Sequence, residues 1–142
     1  MRVKVTRTNP LVPLPVYSTP GSAAFDLAAA DTVDVPPGQI RLIGTGLVIA
    51  VPAGHFLAIL ARSSTPLKRG LVVANGVGVI DSDYCGPDDE VKVQVLNVTS
   101  STVTVTRGDR IAQAIVLSAP RVEFEEAEAT APSRGGFGST GV

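Results

Sequence analysis

A strict two-residue alternation constrains this chain more than any other feature. From residue 90 to residue 97, Val91, Val93 and Val95 fall on one face and Lys92 and Gln94 on the other; Val103 and Val105 alternate with Thr102, Thr104 and Thr106 soon after. Successive side chains of an extended strand point to opposite faces, so this period predicts half-buried antiparallel strands. Shorter β-type runs at 3–5, 39–43, 47–51, 55–60, 71–73 and 111–117 are separated by Pro36-Pro37-Gly38, Pro52-Ala53-Gly54, Ser100-Ser101 and Arg107-Gly108-Asp109. Strands and turns at this spacing predict an all-β sandwich or barrel. No stretch carries the i, i+3, i+4 apolar stripe of a useful helix: Ala28, Ala29 and Ala30 favour helix, but Asp31-Thr32-Val33 interrupts them. One short helical turn fits at 66–69.

With 142 residues and 44% hydrophobic content, the chain is the size of one domain and buries a core without disulfide or metal staples. Twelve basic residues against thirteen acidic ones give a net charge of -1, so no basic stripe is available to neutralise a nucleic-acid backbone. Cys85 is the single cysteine, which excludes an intramolecular disulfide and fits a reducing compartment. Basic residues near Met1 are followed by no apolar leader, and no run approaches the roughly 20 apolar residues of a membrane helix. The expectation is a soluble, cytoplasmic protein with neither nucleic acid nor membrane as partner.

The densest candidate site is Gly78-Val79-Ile80-Asp81-Ser82-Asp83-Tyr84-Cys85-Gly86, where an apolar β-type run ends on a carboxylate followed by an aromatic and a glycine. Taken alone, Asp81 reads as a turn former or as a catalytic base, and sequence statistics favour the turn. A calcium loop of EF-hand type fails, because Cys85 replaces an oxygen ligand and Lys92 occupies the place of the closing Glu. Beyond the charged run 123–128, Ala129-Thr130-Ala131-Pro132-Ser133 reads as a linker. It leads to Arg134-Gly135-Gly136-Phe137-Gly138-Ser139-Thr140-Gly141. Glycines let backbone N–H groups wrap an anion, the hydroxyls and guanidinium suit phosphate, and Phe137 can stack on a base; a frayed terminus is the plain alternative.

Five segments, in order, resemble the five motifs of the trimeric all-β dUTP pyrophosphatases (dUTPases). They are Gly21-Ser22-Ala23-Ala24-Phe25-Asp26-Leu27, then Ala61-Arg62-Ser63-Ser64, then Asn75-Gly76-Val77 running through Asp81 to Gly86, then Gly108-Asp109-Arg110-Ile111-Ala112-Gln113, and last the Gly-rich tail. The resemblance implies a distorted jelly-roll or β-barrel over residues 1–128, with a flexible tail, 129–142, that closes over the active site. It also implies a homotrimer with active sites shared between subunits, and Mg2+-assisted hydrolysis of dUTP to dUMP and pyrophosphate. Such an activity keeps uracil out of DNA and supplies dUMP for dTMP synthesis.

Roles follow from the same resemblance. Asp81 matches the general base that activates a water for attack on the α-phosphorus. Asn75, Val79 and Ile80 match the base-reading residues, and Tyr84 the ring that packs under the deoxyribose. Lys92 and Phe137 join this base-and-sugar set. Arg62, Ser63, Ser64 and Gln113 match the phosphate binders, with Arg134, Ser139 and Thr140 from the tail. Asp26 carries over as an outer-sphere Mg2+ residue acting through water. Asp109 and Arg110 read as structural, a strand-start turn and a subunit-contact pair, and the lone His55 receives no role.

The chain departs from the family pattern at four places. Ala24-Phe25 stands for the commoner Gly-Tyr, Thr65-Pro66 for an apolar-Ala pair, Pro87-Asp88-Asp89 is inserted after Gly86, and Arg134 lies closer than usual to Phe137. The rival within the fold is a dCTP deaminase or a bifunctional deaminase-dUTPase, which needs a Glu where this chain has Gln94, and a glutamine amide cannot shuttle the proton. A non-catalytic nucleotide-binding regulatory protein is the rival from another class; it would gain nothing from a carboxylate beside the α-phosphate.

Overall fold

The computed structural model describes residues 1–136. Its elements are β1 (Lys4–Arg7), β2 (Phe25–Ala28), β3 (Val33–Val35), β4 (Ile40–Gly44), β5 (Leu47–Ala50), β6 (His55–Leu60), α1 (Ser64–Arg69), β7 (Leu71–Val73), β8 (Gly78–Ile80), β9 (Lys92–Asn97), β10 (Val103–Val105) and β11 (Arg110–Ser118). They pair antiparallel as a four-stranded sheet β2-β11-β6-β8, a three-stranded sheet β4-β9-β7, and the ribbons β1-β5 and β3-β10. The predicted all-β fold of jelly-roll type is the one formed.

The alternation maps onto burial residue by residue. Val91, Val93 and Val95 are at most 1% exposed, and Lys92 and Gln94 between them face solvent. With Leu27, Ile43, Ile49, Leu57, Leu71, Val105 and Ile111 they form one aliphatic core shared by the sheets. Each such side chain contributes about 1.5–3 kcal/mol when fully buried, so a core with few aromatics suffices. The ladder itself starts at Lys92, because Glu90 and Val91 bond elsewhere: Val91 N–H donates to Leu47 O at 2.8 Å, and its carbonyl accepts the N–H and hydroxyl of Thr45 at 3.2 and 2.7 Å.

Helix α1 begins two residues before the predicted turn. Pro66 fits because it sits in the first turn, where a missing N–H costs nothing. Gly70 ends the helix in the left-handed region at φ 61°, its N–H on Pro66 O at 3.0 Å; a Cβ there would lie 2.0 Å from Thr99 Cγ2, so only glycine fits. Strands β2 and β3 were not expected, since each is too short to show a period. Ala28 closes β2, while Ala29 and Ala30 are buried instead of helical. Residues 121–136 lie outside the strands and are exposed throughout.

Candidate active site

The connection from β7 to β8 builds the first half of the candidate site. Strand β7 pairs with β9 of one sheet and β8 with β6 of the other, so the turn between them crosses from sheet to sheet. Asn75 sits in that turn, which Gly76 closes at φ 72° with its N–H on Val73 O at 3.0 Å. A cavity of about 140 Å³ opens there, lined by Asn75, Gly78, Val79, Ile80, Lys92 and Gln94 among others. Four residues expected to hold base and sugar, Asn75, Val79, Ile80 and Lys92, are thus brought together. Gly78 belongs to the design: a Cβ on it would lie 3.1 Å from Ile59 Cβ, within 4 Å of the Asn75 amide.

Asp81 is the residue after β8. It is exposed and opens onto a neighbouring cleft of about 840 Å³ shared with His55, Phe56, Ser82, Asp83 and Arg121. Tyr84 lies further along the loop, 39% exposed, with its hydroxyl donating to Glu90 O at 3.3 Å. The hydrogen bond from Tyr84 N–H to Asp81 O at 3.2 Å closes the turn between them, so the turn-forming reading of this segment holds, and the exposed Asp81 side chain is left open to the cleft.

The second half of the site is polar. Register places Gln113 of β11 opposite both Asp26 of β2 and Leu60 of β6, and the chain leaves β6 directly into Ala61-Arg62. Arg62 Nε donates to Asp26 Oδ1 at 2.6 Å and its Nη1 reaches Ser64 Oγ at 3.4 Å. Gln113 Nε2 donates to Ala61 O at 2.9 Å, fixing the strand exit. Arg110, expected to be structural, donates from Nη1 to Asp26 Oδ2 at 3.0 Å. Asp109 pairs instead with Arg69 at 2.7 Å, and this guanidinium, helped by the Thr106 N–H, lowers its pKa against the opposing effect of burial. Ser63 is exposed at the start of α1, Arg134 is exposed beyond the last strand, and Phe137, Ser139 and Thr140 lie outside the described residues.

These two halves stand apart within one chain. Ile80 is opposite Leu57, so Asp81 lies level with Phe56 near the start of β6, whereas Asp26 and Gln113 lie level with Leu60 at its end. Four residues along the strand and three strand spacings across the sheet separate Asp81 from Asp26 by roughly 20 Å. A side chain acts on a reacting atom at hydrogen-bond reach or through one water, so Asp81 and the Asp26 cluster of the same chain do not meet at one reacting centre.

No group of three His, Cys, Asp or Glu side chains able to hold a metal comes together among the described residues. Asp26 keeps part of its accepting capacity, since each oxygen takes one guanidinium bond and its side chain is 19% exposed. Such a carboxylate suits water-mediated contact with a hydrated ion that a polyphosphate chelates, and Mg2+ characteristically keeps its waters.

The dUTPase family profile matches residues 11–141. The chain belongs to the dUTPase family. It is 41% identical over 149 residues to the deoxyuridine 5'-triphosphate nucleotidohydrolase of Caulobacter vibrioides, covering 100% of this chain and 94% of that one. The enzyme of the same description from Thermobifida fusca is 42% identical over 145 residues, covering 99% and 79%. Among solved structures, the dUTPase of Streptococcus mutans superposes with a TM-score of 0.79 at 31% identity, over 84% of this chain and 98% of that one. The dUTPase of Staphylococcus bacteriophage 80alpha bound to dUpNHpp reaches a TM-score of 0.87 at 22% identity over 99% of both chains, a likeness of fold. The protein is therefore an enzyme, a dUTP diphosphatase.

Three residues of the site region escaped the sequence. Arg110 was assigned to structure, His55 to nothing, and Arg121 was not singled out. Only the pairing of β2 with β11 shows Arg110 beside Asp26, and only the pairing of β6 with β8 carries His55 into the Asp81 cleft. Gln94, weighed as the position a deaminase would fill with Glu, lines the small cavity.

Proposed function

We propose that the enzyme hydrolyses dUTP to dUMP and pyrophosphate in the cytoplasm, as a homotrimer whose active sites are shared between subunits. The observation that carries the shared site is the separation of Asp81 from the Asp26–Arg62–Gln113 cluster by roughly 20 Å within one chain. A second copy must bring one half to the other. Asn75, Val79, Ile80 and Lys92 of one subunit receive the uracil and sugar, and Tyr84 packs against the deoxyribose where a ribose 2'-hydroxyl would clash. Arg62, Ser63, Ser64 and Gln113 of a neighbour hold the phosphates, with Arg134, Ser139 and Thr140 of the tail, while Phe137 covers the base.

Asp81 accepts a proton from a water whose oxygen attacks the α-phosphorus. The bond from that phosphorus to the α–β bridging oxygen breaks, pyrophosphate leaves, and the new P–O bond completes dUMP. Asp26 would hold a Mg2+ through water, and the ion would neutralise phosphate charge. In the cell this removes dUTP before it enters DNA and provides dUMP for dTMP synthesis.

Pyrophosphate release measured in parallel with dUTP, dCTP, dTTP and UTP, with and without Mg2+, tests the assignment. Selective, Mg2+-dependent turnover of dUTP is expected, and ammonia release from dCTP would overturn it.

A further inference from the structure

The inserted Pro87, Asp88 and Asp89 lengthen the chain between Tyr84 and β9, yet the segment is tied down at several points. Asp89 Oδ2 accepts the Gly86 N–H at 2.7 Å, and the Asp89 N–H returns to Gly86 O at 3.2 Å. Glu90 follows, half-buried, and makes two contacts of different reach. Its Oε1 accepts the N–H of Gly46, in the β4–β5 turn, at 2.6 Å, and its carbonyl accepts the Tyr84 hydroxyl at 3.3 Å.

The turn is shaped to receive that carboxylate. A Cβ on Gly44 would lie 2.6 Å from Glu90 Oε1, and Gly46 adopts φ 67°, the left-handed region that favours glycine. A bond from a backbone N–H to an ionised carboxylate is about twice as strong as a neutral one. Glu90 therefore fastens the end of the long loop to a different sheet connection, one residue before Val91 enters the core.

We propose that Glu90 is a positioning residue for Tyr84: its carboxylate fixes the loop to the β4–β5 turn, and its carbonyl holds the phenol where it rejects a ribose. The inference rests on the sugar-contacting role given to Tyr84 in the proposed function. Discrimination against one added hydroxyl needs a wall that does not yield, because a ring displaced by about 1 Å admits the larger sugar. An unbraced loop lengthened by the insertion would yield.

The experiment compares Glu90→Ala, Glu90→Gln, Gly44→Ala and Tyr84→Ala by kcat/KM for dUTP and for UTP, alongside thermal melting. Glu90→Ala is expected to narrow the dUTP-to-UTP ratio about tenfold. Gly44→Ala displaces the carboxylate without changing any residue of the loop, should narrow the ratio in the same direction, and supplies the answer if Glu90→Ala does not fold. Glu90→Gln, whose amide oxygen still accepts from Gly46, should restore most of the ratio. An unchanged ratio in Glu90→Ala and Gly44→Ala, with a narrowed one in Tyr84→Ala, overturns the inference and leaves the proposed function standing. An unchanged ratio in Tyr84→Ala removes that residue from the sugar site, and the brace loses its purpose with it.

Discussion

Asp26 joins two arginines that lie far apart in sequence: its Oδ1 takes Arg62 Nε at 2.6 Å and its Oδ2 takes Arg110 Nη1 at 3.0 Å. A carboxylate held this way fixes the direction in which the Arg62 fork points. Asp26→Asn keeps the size and removes the charge that orients both cations. We expect kcat/KM for dUTP to fall by about 10- to 100-fold, with a higher Mg2+ concentration needed for half-maximal rate. Steady-state kinetics across a Mg2+ titration checks this, and an unchanged profile would take Asp26 out of the phosphate half of the site.

Asp109 and Arg69 tie the entry of β11 to the end of α1. Because the folded state lowers the Asp109 pKa, chiefly through the hydrogen bond from Arg69, the stabilisation is fully present above the ordinary carboxylate value and disappears as pH falls through the lower folded value. The pair is partly exposed, so it is worth about 1 kcal/mol at most. Asp109→Asn should lower the melting temperature by a few degrees at pH 7 and leave it unchanged at a pH well below the carboxylate range. A difference of equal size at both pH values would assign the effect to something other than the ion pair.

Asn97 is fully buried and satisfies four partners at once. Its Nδ2 donates to Val35 O at 2.8 Å and Ser101 O at 2.7 Å, while Oδ1 accepts Thr99 N–H at 2.8 Å and Thr99 Oγ1 at 2.7 Å. Asn97→Asp has the same shape but replaces both donors with an acceptor facing two carbonyls. The loss should be about 2–3 kcal/mol, read as a lower urea midpoint at pH 7.

Thr65 lies in the first turn of α1. It is 4% exposed, and its hydroxyl has no hydrogen-bond partner among the described residues. Thr65→Val keeps the shape and removes that buried hydroxyl, so stability should rise by about 1 kcal/mol. A melting temperature that falls would show that the hydroxyl is satisfied in solution.

Val93 and Val95 were legible because period two and burial coincide along β9, and Val91 continues the pattern just before it, whereas His55–Leu60 was legible only as an apolar β-type run, since Leu57, Ala58 and Ile59 are buried in succession. Phe25–Ala28 was not legible as a strand: four residues hold too little periodicity, and its place comes from the β11 partner that sets Asp26 against Gln113. The candidate site residues were picked out by motif order, but motif order carries no register. That Asp81 and Asp26 occupy opposite ends and opposite edges of one sheet is decided by long-range strand pairing, which a linear reading of the residues cannot contain. Arg110 shows the same limit, since its role depends on a carboxylate 84 residues away.

The proposed arrangement sets Asp81 and Arg62 of one active site on different chains. It is tested most directly by mixing Asp81→Asn and Arg62→Ala proteins, each crippled alone, under conditions that exchange subunits, and measuring dUTP hydrolysis. In a one-to-one mixture about one site in four draws its intact Asp81 and its intact Arg62 from different subunits, so activity should recover to about a quarter of wild type. Activity no higher than that of the two variants measured separately would contradict the shared site.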